Sequence, residues 1–334
     1  YKTPSQLIEL TKQLINFPTV SRWSNIALSD YLEEVLKECA FEVERLTYID
    51  KNGEVKVSLV AKKGDGADGL AFFSHSDTVP GQEEDWDAFT ATVEHGRVVG
   101  RGSCDMKGPL AATVTAAANV DVDRLKRVVY VVVCADEEVS GQGARQVAAE
   151  SDFFKAAPPK HGVVAEPTSL IPVYAHKGGA IVEVMARGEA AHTSTDKGVS
   201  ANFLMVPFLA DMVELAKQVK SDESFMDSEF GPPTCGFNFV VDDGGCRPNV
   251  TAAKTVCTVH FRTMPNARSN ELLTQVTGRA ADYGFEIQSQ FTEPFYNSPK
   301  AEIVQIACQI TDIQDPQTVP YGTDAFYLND RFDL

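Results

Sequence analysis

The chain has 334 residues, 43% of them hydrophobic, and a formal net charge of -17 at pH 7. That length supports a large core and suggests two domains, while so acidic a surface repels phosphate backbones and anionic membranes and argues against either as a partner. The longest apolar stretch, Val128 to Ala135, is too short to span a bilayer, no signal-peptide pattern stands at Tyr1, and seven scattered cysteines without a C-x-x-C pair read as reduced thiols of a cytoplasmic protein.

Thr3-Pro4-Ser5-Gln6 predicts a first helix with a capping box, and Leu7, Leu10 and Leu14 continue it at helical spacing. A second helix carries Leu28, Leu32, Val35 and Cys39 on one face. Buried strands are expected at Leu70–Ser74, Val128–Ala135 and Gly162–Ala165, with helices at Pro109–Val120 and Gly143–Glu150 between them. Strands alternating with helices indicate a layered α/β sheet. The texture changes near Ala175. Ile181–Met185, Cys235–Val241, Ala253–Arg262 and Phe285–Phe291 read as strands, and Val199–Val219 and Ser269–Tyr283 as helices. That β-α-β-β-α-β order is a ferredoxin-like unit. Ile303–Ile310 then returns to a helix of the first kind, and a further strand is expected to begin at Asp333-Leu334. The reading is a catalytic domain, residues 1–175 and 292–334, interrupted by a smaller one, residues 176–291.

Four segments carry chemistry. His75-Ser76-Asp77 ends a buried strand, and residues two apart in an extended chain point the same way. A metal-bound imidazole needs an acceptor on its second nitrogen, which a nearby carboxylate supplies. In Gly100-Arg101-Gly102-Ser103-Cys104-Asp105-Met106-Lys107-Gly108, glycines bracket one carboxylate just before a helix. Asp136-Glu137-Glu138 follows the Val128–Ala135 strand, and three adjacent acids repel one another unless cations sit between them. Glu166-Pro167 follows another short strand. Taken singly, the His75-Ser76-Asp77 and Asp136-Glu137-Glu138 segments read better as a loop histidine and a solvated acidic loop, and Asp105 has an alternative reading as an N-cap. Four acid-bearing strand ends in one sheet make a constellation, because open α/β sheets bind ligands there. The segment Gly141-Gln142-Gly143-Ala144 lacks the third glycine of a dinucleotide fingerprint, and no G-x-S-x-G elbow is present.

In order, these segments resemble the signatures of a dizinc amidohydrolase and exopeptidase family, that of acetylornithine deacetylase, succinyl-diaminopimelate desuccinylase and glutamate carboxypeptidase. The resemblance extends from the first helix to Gly322-Thr323-Asp324-Ala325. Tyr174-Ala175-His176-Lys177-Gly178-Gly179 and Pro320-Tyr321-Gly322-Thr323-Asp324-Ala325 look most like the acetylornithine deacetylase branch. It implies a mixed-sheet, metallopeptidase-like α/β catalytic domain with an inserted ferredoxin-like α+β lid and dimerisation domain. It implies two divalent ions, zinc first, with cobalt or manganese as alternatives. His75 and Glu166 would hold one ion, Glu138 the other, and Asp105 would bridge, with Asp77 orienting His75 and Glu137 as general base. His192 resembles the family's oxyanion-stabilising residue, and Asn249 and Arg262 match positions that hold the substrate. The family's last ligand is a histidine near the carboxyl terminus; none follows His260, so it is expected beyond Leu334. The implied reaction is hydrolysis of the amide of an N-acyl amino acid by a homodimer. The alternatives are exopeptidase action on short peptides and an inactive binding protein on the same scaffold.

Overall fold

A computed structural model of the chain describes residues 3–81 and 86–328. The chain divides into two compact units, Tyr1–Pro172 with Asn297–Pro316 and Thr323–Leu334, and Val173–Tyr296 with Gln317–Gly322.

In the first unit, helix α1 (Pro4–Ile15) starts at the expected capping box: the Gln6 amide donates to the Thr3 hydroxyl and the Gln6 side chain accepts from the Thr3 amide. Helix α2 (Ile26–Glu38) buries Leu28, Leu32, Val35 and Leu36. Strands β1 (Glu42–Ile49) and β2 (Val55–Lys63) then form an antiparallel hairpin. The sequence pattern does not announce this hairpin, because in the edge strand β1 the apolar Val43, Leu46 and Ile49 are spaced irregularly among Glu42, Glu44, Arg45 and Thr47, without a clean apolar alternation. Its turn is set by Asp50, which accepts the amides of Asn52 and Glu54, and by Gly53 at φ +87°. Next come β3 (Leu70–His75), a small hairpin of β4 (Thr92–Glu94) and β5 (Arg97–Val99), and α3 (Lys107–Ala118). After these follow β6 (Val129–Cys134), α4 (Gln142–Glu150), α5 (Asp152–Ala156) and β7 (His161–Val164).

The five-stranded sheet runs β1-β2-β6-β3-β7. Strands β6, β3 and β7 are mutually parallel and β1 and β2 make antiparallel pairs, so the sheet is mixed. One face buries Leu59, Ala61, Val131 and Val133 against Leu10, Leu14, Leu28, Leu32, Leu110 and Val114 of α1, α2 and α3. Each such Leu or Val side chain contributes about 1.5–3 kcal/mol on burial. On Phe73 and Tyr130 of the sheet, Phe154 of α5 packs edge-on. Register then positions the chemistry. His75 pairs with Cys134 across β3 and β6, and the Ala165 amide donates to Phe73, so His75, the 136–138 turn and Glu166 all emerge at one sheet edge.

The second unit begins with β8 (Val173–His176) and β9 (Gly179–Arg187), followed by α6 (Ala201–Ser221), β10 (Asn238–Asp242) and β11 (Lys254–Phe261). Helix α7 (Ser269–Asp282), β12 (Glu286–Thr292) and β13 (Phe295–Tyr296) come next. The antiparallel sheet has the order β10-β11-β9-β12. With chain order β9-α6-β10-β11-α7-β12, this is the ferredoxin-like arrangement. Ala180, Val182, Val184 and Ala186 alternate inward from β9 toward Met205, Phe208 and Met212 of α6. Helix α8 (Glu302–Thr311) belongs to the first unit, β14 (Gln317–Val319) joins β8 in the second, and α9 (Ala325–Leu328) is again in the first. The strand expected at Asp333-Leu334 lies outside the described residues. No helix among the described residues is long and apolar enough to cross a membrane.

Candidate metal centre

His75 ends β3 with its ring almost completely buried. Its Nδ1 lies 3.0 Å from the backbone oxygen of Asp77, so Nδ1 carries the proton and Nε2 is the free donor atom. The expected partner was the Asp77 carboxylate, but that group is 3.5 Å away. It accepts instead from the Glu137 amide at 3.1 Å, the Glu138 amide at 3.3 Å and the Ser21 hydroxyl at 2.7 Å. The reason is the turn after β6, whose first amides would otherwise be buried without acceptors.

Asp105 is delivered by the glycine-bracketed loop. Gly102 sits at φ +80°, and a Cβ there would meet Thr78 Cγ2 at 2.8 Å. Met106 is fully buried, its sulfur accepting from the His75 amide, which docks the loop on the strand end. Asp105 Oδ1 lies 3.1 Å from His75 Nε2, Glu166 Oε1 3.9 Å and Glu137 Oε2 4.0 Å. Ligand atoms of His75, Asp105 and Glu166 all fall within 4.8 Å of one another. Glu138 stands outside this close group, with its carboxylate near enough to feel the charges of Asp105 and His75.

Electrostatics fit a cation. Burial, then repulsion from Asp105 and Glu138, pushes Glu166 up to about 7. Burial, then Asp324, raises Glu137 strongly. Burial opposes charge on His75, yet the contacts with Asp105 and Asp77 and the field of Glu137 push it well above the ordinary histidine range. A nitrogen and several acceptor-only carboxylates crowded at a strand end carry an excess of negative charge that a divalent ion relieves, and the N/O donor set suits zinc, cobalt or manganese.

Two residues depart from the sequence expectation. Asp136, expected to await a metal beside Glu137 and Glu138, is buried away from the cluster and paired to Lys56 Nζ at 2.8 Å and the Tyr48 hydroxyl at 2.7 Å. Its backbone is left-handed, φ +61°, which turns its side chain from the direction of its neighbours. The sequence assigns Asp324 no role. It is buried, its Oδ1 has no hydrogen-bond partner, and Glu137 feels its charge most among the neighbouring groups. The Gly-Thr-Asp-Ala segment was the available signal.

His192, Asn249 and Arg262 belong to the second unit. His192 is exposed and pairs as a bridge with Val250, while the Thr193 amide donates to the Asn249 carbonyl at 3.0 Å. The Ser194 amide donates to His192 Nδ1 at 3.2 Å, so in the neutral ring Nε2 carries the proton. Arg262 is half-buried and its charge lowers the pKa of His176 and His260 after burial does so.

A strand-end cluster of this kind on a mixed sheet defines a metal-dependent hydrolase, and residues 71–332 match Peptidase family M20/M25/M40. The chain belongs to that family and is a metal-dependent hydrolase of amide bonds. Over 325 residues it is 35% identical to acetylornithine deacetylase of Myxococcus xanthus, covering 94% of this chain and 83% of that protein. It is 34% identical over 274 residues to acetylornithine deacetylase of Photorhabdus laumondii subsp. laumondii, covering 79% and 69% respectively. The fold is shared with a metallo-carboxypeptidase from Sulfolobus solfataricus, TM-score 0.71, 16% identity, over 98% of this chain and 90% of that one.

Proposed function

We propose that the chain is a zinc-dependent N-acyl amino acid deacylase of the acetylornithine deacetylase type. The observation that carries this reading is the approach of Asp105, Glu166 and Glu137 to one buried nitrogen, His75 Nε2. In this reading His75, Asp105, Glu138 and Glu166 would hold two divalent ions, which would supply polarisation of the scissile carbonyl and a more acidic attacking water. Glu137 accepts the proton of that water and returns it to the leaving amine. Asp77 holds the tautomer of His75 and the backbone of Glu137 and Glu138. His192, with its proton on Nε2, donates to the oxyanion of the tetrahedral intermediate. Asn249 and Arg262 bind the backbone and carboxylate of a small N-acyl amino acid. Residues 176–291 act as a lid and as the dimerisation surface of a cytoplasmic homodimer.

The family's peptidase members favour a second reading, exopeptidase action on short peptides by the same residues. Kinetics on the zinc-loaded protein with N-acetylornithine, other N-acetyl amino acids and dipeptides separates the two. Higher kcat/KM on the N-acetyl panel is expected. Preference for dipeptides overturns deacylation, and turnover of neither overturns both enzymatic readings.

A further inference from the structure

We infer that Lys56 is a positioning residue for the catalytic turn, closing a buried polar ring whose other end holds Glu137 and Glu138. The inference rests on the proposed role of Glu137 as base. The ring can be followed atom by atom. The Asp77 carboxylate accepts from the Glu137 and Glu138 amides and from the Ser21 hydroxyl. The backbone carbonyl of Ser21 accepts from Lys56 Nζ, as does that of Trp23 at 2.9 Å. Lys56 Nζ donates in turn to Asp136 Oδ1 at 2.8 Å, and Asp136 is joined by a peptide bond to Glu137. Tyr48 adds a brace, its hydroxyl donating to Asp136 Oδ2 at 2.7 Å. A second carboxylate, Asp50, lies 3.7 Å from the ammonium.

Stability alone is a poor reason for this arrangement. The Lys56 side chain is 1% exposed and that of Asp136 is 4% exposed. A buried ion pair seldom improves on well-packed apolar residues of similar volume. The left-handed backbone of Asp136 adds a conformational cost. What the ring provides is location. Ser21 and the 136–138 turn lie far apart in the sequence, and both grip Asp77, which in turn abuts His75. One ammonium fixes the backbone on both sides of that grip. It also neutralises Asp136, which otherwise adds another negative charge beside Glu137 and Glu138.

The test compares zinc-loaded Lys56→Met, Tyr48→Phe, the double variant Lys56→Met/Asp136→Asn, and Glu137→Gln, using the best substrate of the panel above and competition for zinc by a chelator. Groups that orient a metal site's ligands typically change activity or metal affinity by about 10–100-fold. Lys56→Met is expected to lose kcat or zinc affinity in that range with little change in KM. Tyr48→Phe is expected to show the same split at smaller size. The double variant lacks the stranded buried carboxylate, so it regains thermal stability over Lys56→Met without regaining kcat. Should Lys56→Met fail to fold, the double variant and Tyr48→Phe still decide. Undiminished kcat and zinc affinity in Lys56→Met, or kcat returning together with stability in the double variant, overturns the inference. An active Glu137→Gln protein overturns the base reading and this inference with it; an inactive one beside a fully active Lys56→Met overturns the inference alone.

Discussion

The Glu137 amide donates to Asp77 Oδ1 at 3.1 Å, and the Asp77 backbone oxygen lies 3.0 Å from His75 Nδ1. A single residue therefore sets both the strand-end imidazole and the backbone of the proposed base. Asp77→Ala leaves the amides of Glu137 and Glu138 buried without their acceptor, each at about 1–3 kcal/mol. The variant is expected to melt earlier and to release zinc at about 10–100-fold lower chelator concentration. Asp77→Ala keeps the backbone oxygen that faces His75, so unaltered zinc retention in the folded variant contradicts the role of the carboxylate in holding Glu137 and Glu138.

Glu137→Gln keeps the shape of the side chain and its amide bond to Asp77 while removing a basic carboxylate. Zinc content is expected to persist and kcat to fall by at least about 10²- to 10⁴-fold, the usual contribution of general-base catalysis. Metal analysis together with steady-state kinetics checks both halves. A variant that retains most of its kcat assigns the base elsewhere.

His176 supplies a pH dependence in the second unit. Burial, with Arg262 adding to it, lowers its pKa to about 4, against a bond to the Lys177 carbonyl that favours the charged ring. Its Nε2 has no partner, and Phe295 stacks at a tilt 5.3 Å away. The folded state thus binds this proton less readily than the unfolded chain, where the pKa is 6.5. Stability is unaffected above about pH 6.5, falls as pH drops through the window from 6.5 to 4, and is lower by on the order of 3 kcal/mol beneath it. Urea unfolding between pH 7 and 4 should show a shallower acid decline for His176→Asn. Parallel declines for the two proteins remove the assignment.

Gly141 adopts φ +60°, and a Cβ there would stand 1.9 Å from the Tyr327 ring. That ring carries the hydroxyl that donates to the Ser140 carbonyl and lies under the Arg145 guanidinium. Gly141→Ala is expected to cost about 1–3 kcal/mol through backbone strain and displacement of Tyr327. It should also lower kcat, since the segment bearing Tyr327 carries Asp324. Thermal melts and kinetics should change together; a wild-type melt argues that the segment yields freely.

His192 is proposed to act across a dimer. Mixing His192→Ala with Glu137→Gln protein and allowing subunit exchange should restore activity, because hybrids then hold one site with both groups intact. Sedimentation gives the oligomeric state independently. Confirmed exchange without recovered activity places His192 in its own subunit's reaction or in none.

The sequence by itself determined the elements whose cause is local. Capping at Thr3 and Gln6, the helical spacing of Leu28, Leu32 and Val35, and the apolar run before Asp136 each fix structure over a few residues, and each element forms within about two residues of its expectation. It also determined that His75, Glu137 and Glu166 follow or end buried strands and that glycines bracket Asp105, so the four could be named together, although Asp105 stands on the loop before α3 and not at a strand end. Tertiary structure alone decided the partners. β1 is an edge strand whose apolar residues are too irregularly spaced to announce it, and its Tyr48 becomes a brace for Asp136 only through pairing of β1, β2 and β6. Lys56 reads as one more charged residue until the sheet buries it, and Asp136 reads as a third acid of the site until a left-handed backbone turns it toward that lysine. Side-chain direction after a strand depends on one dihedral angle, and the pairing of distant charges on the whole sheet, neither of which residue type or spacing specifies.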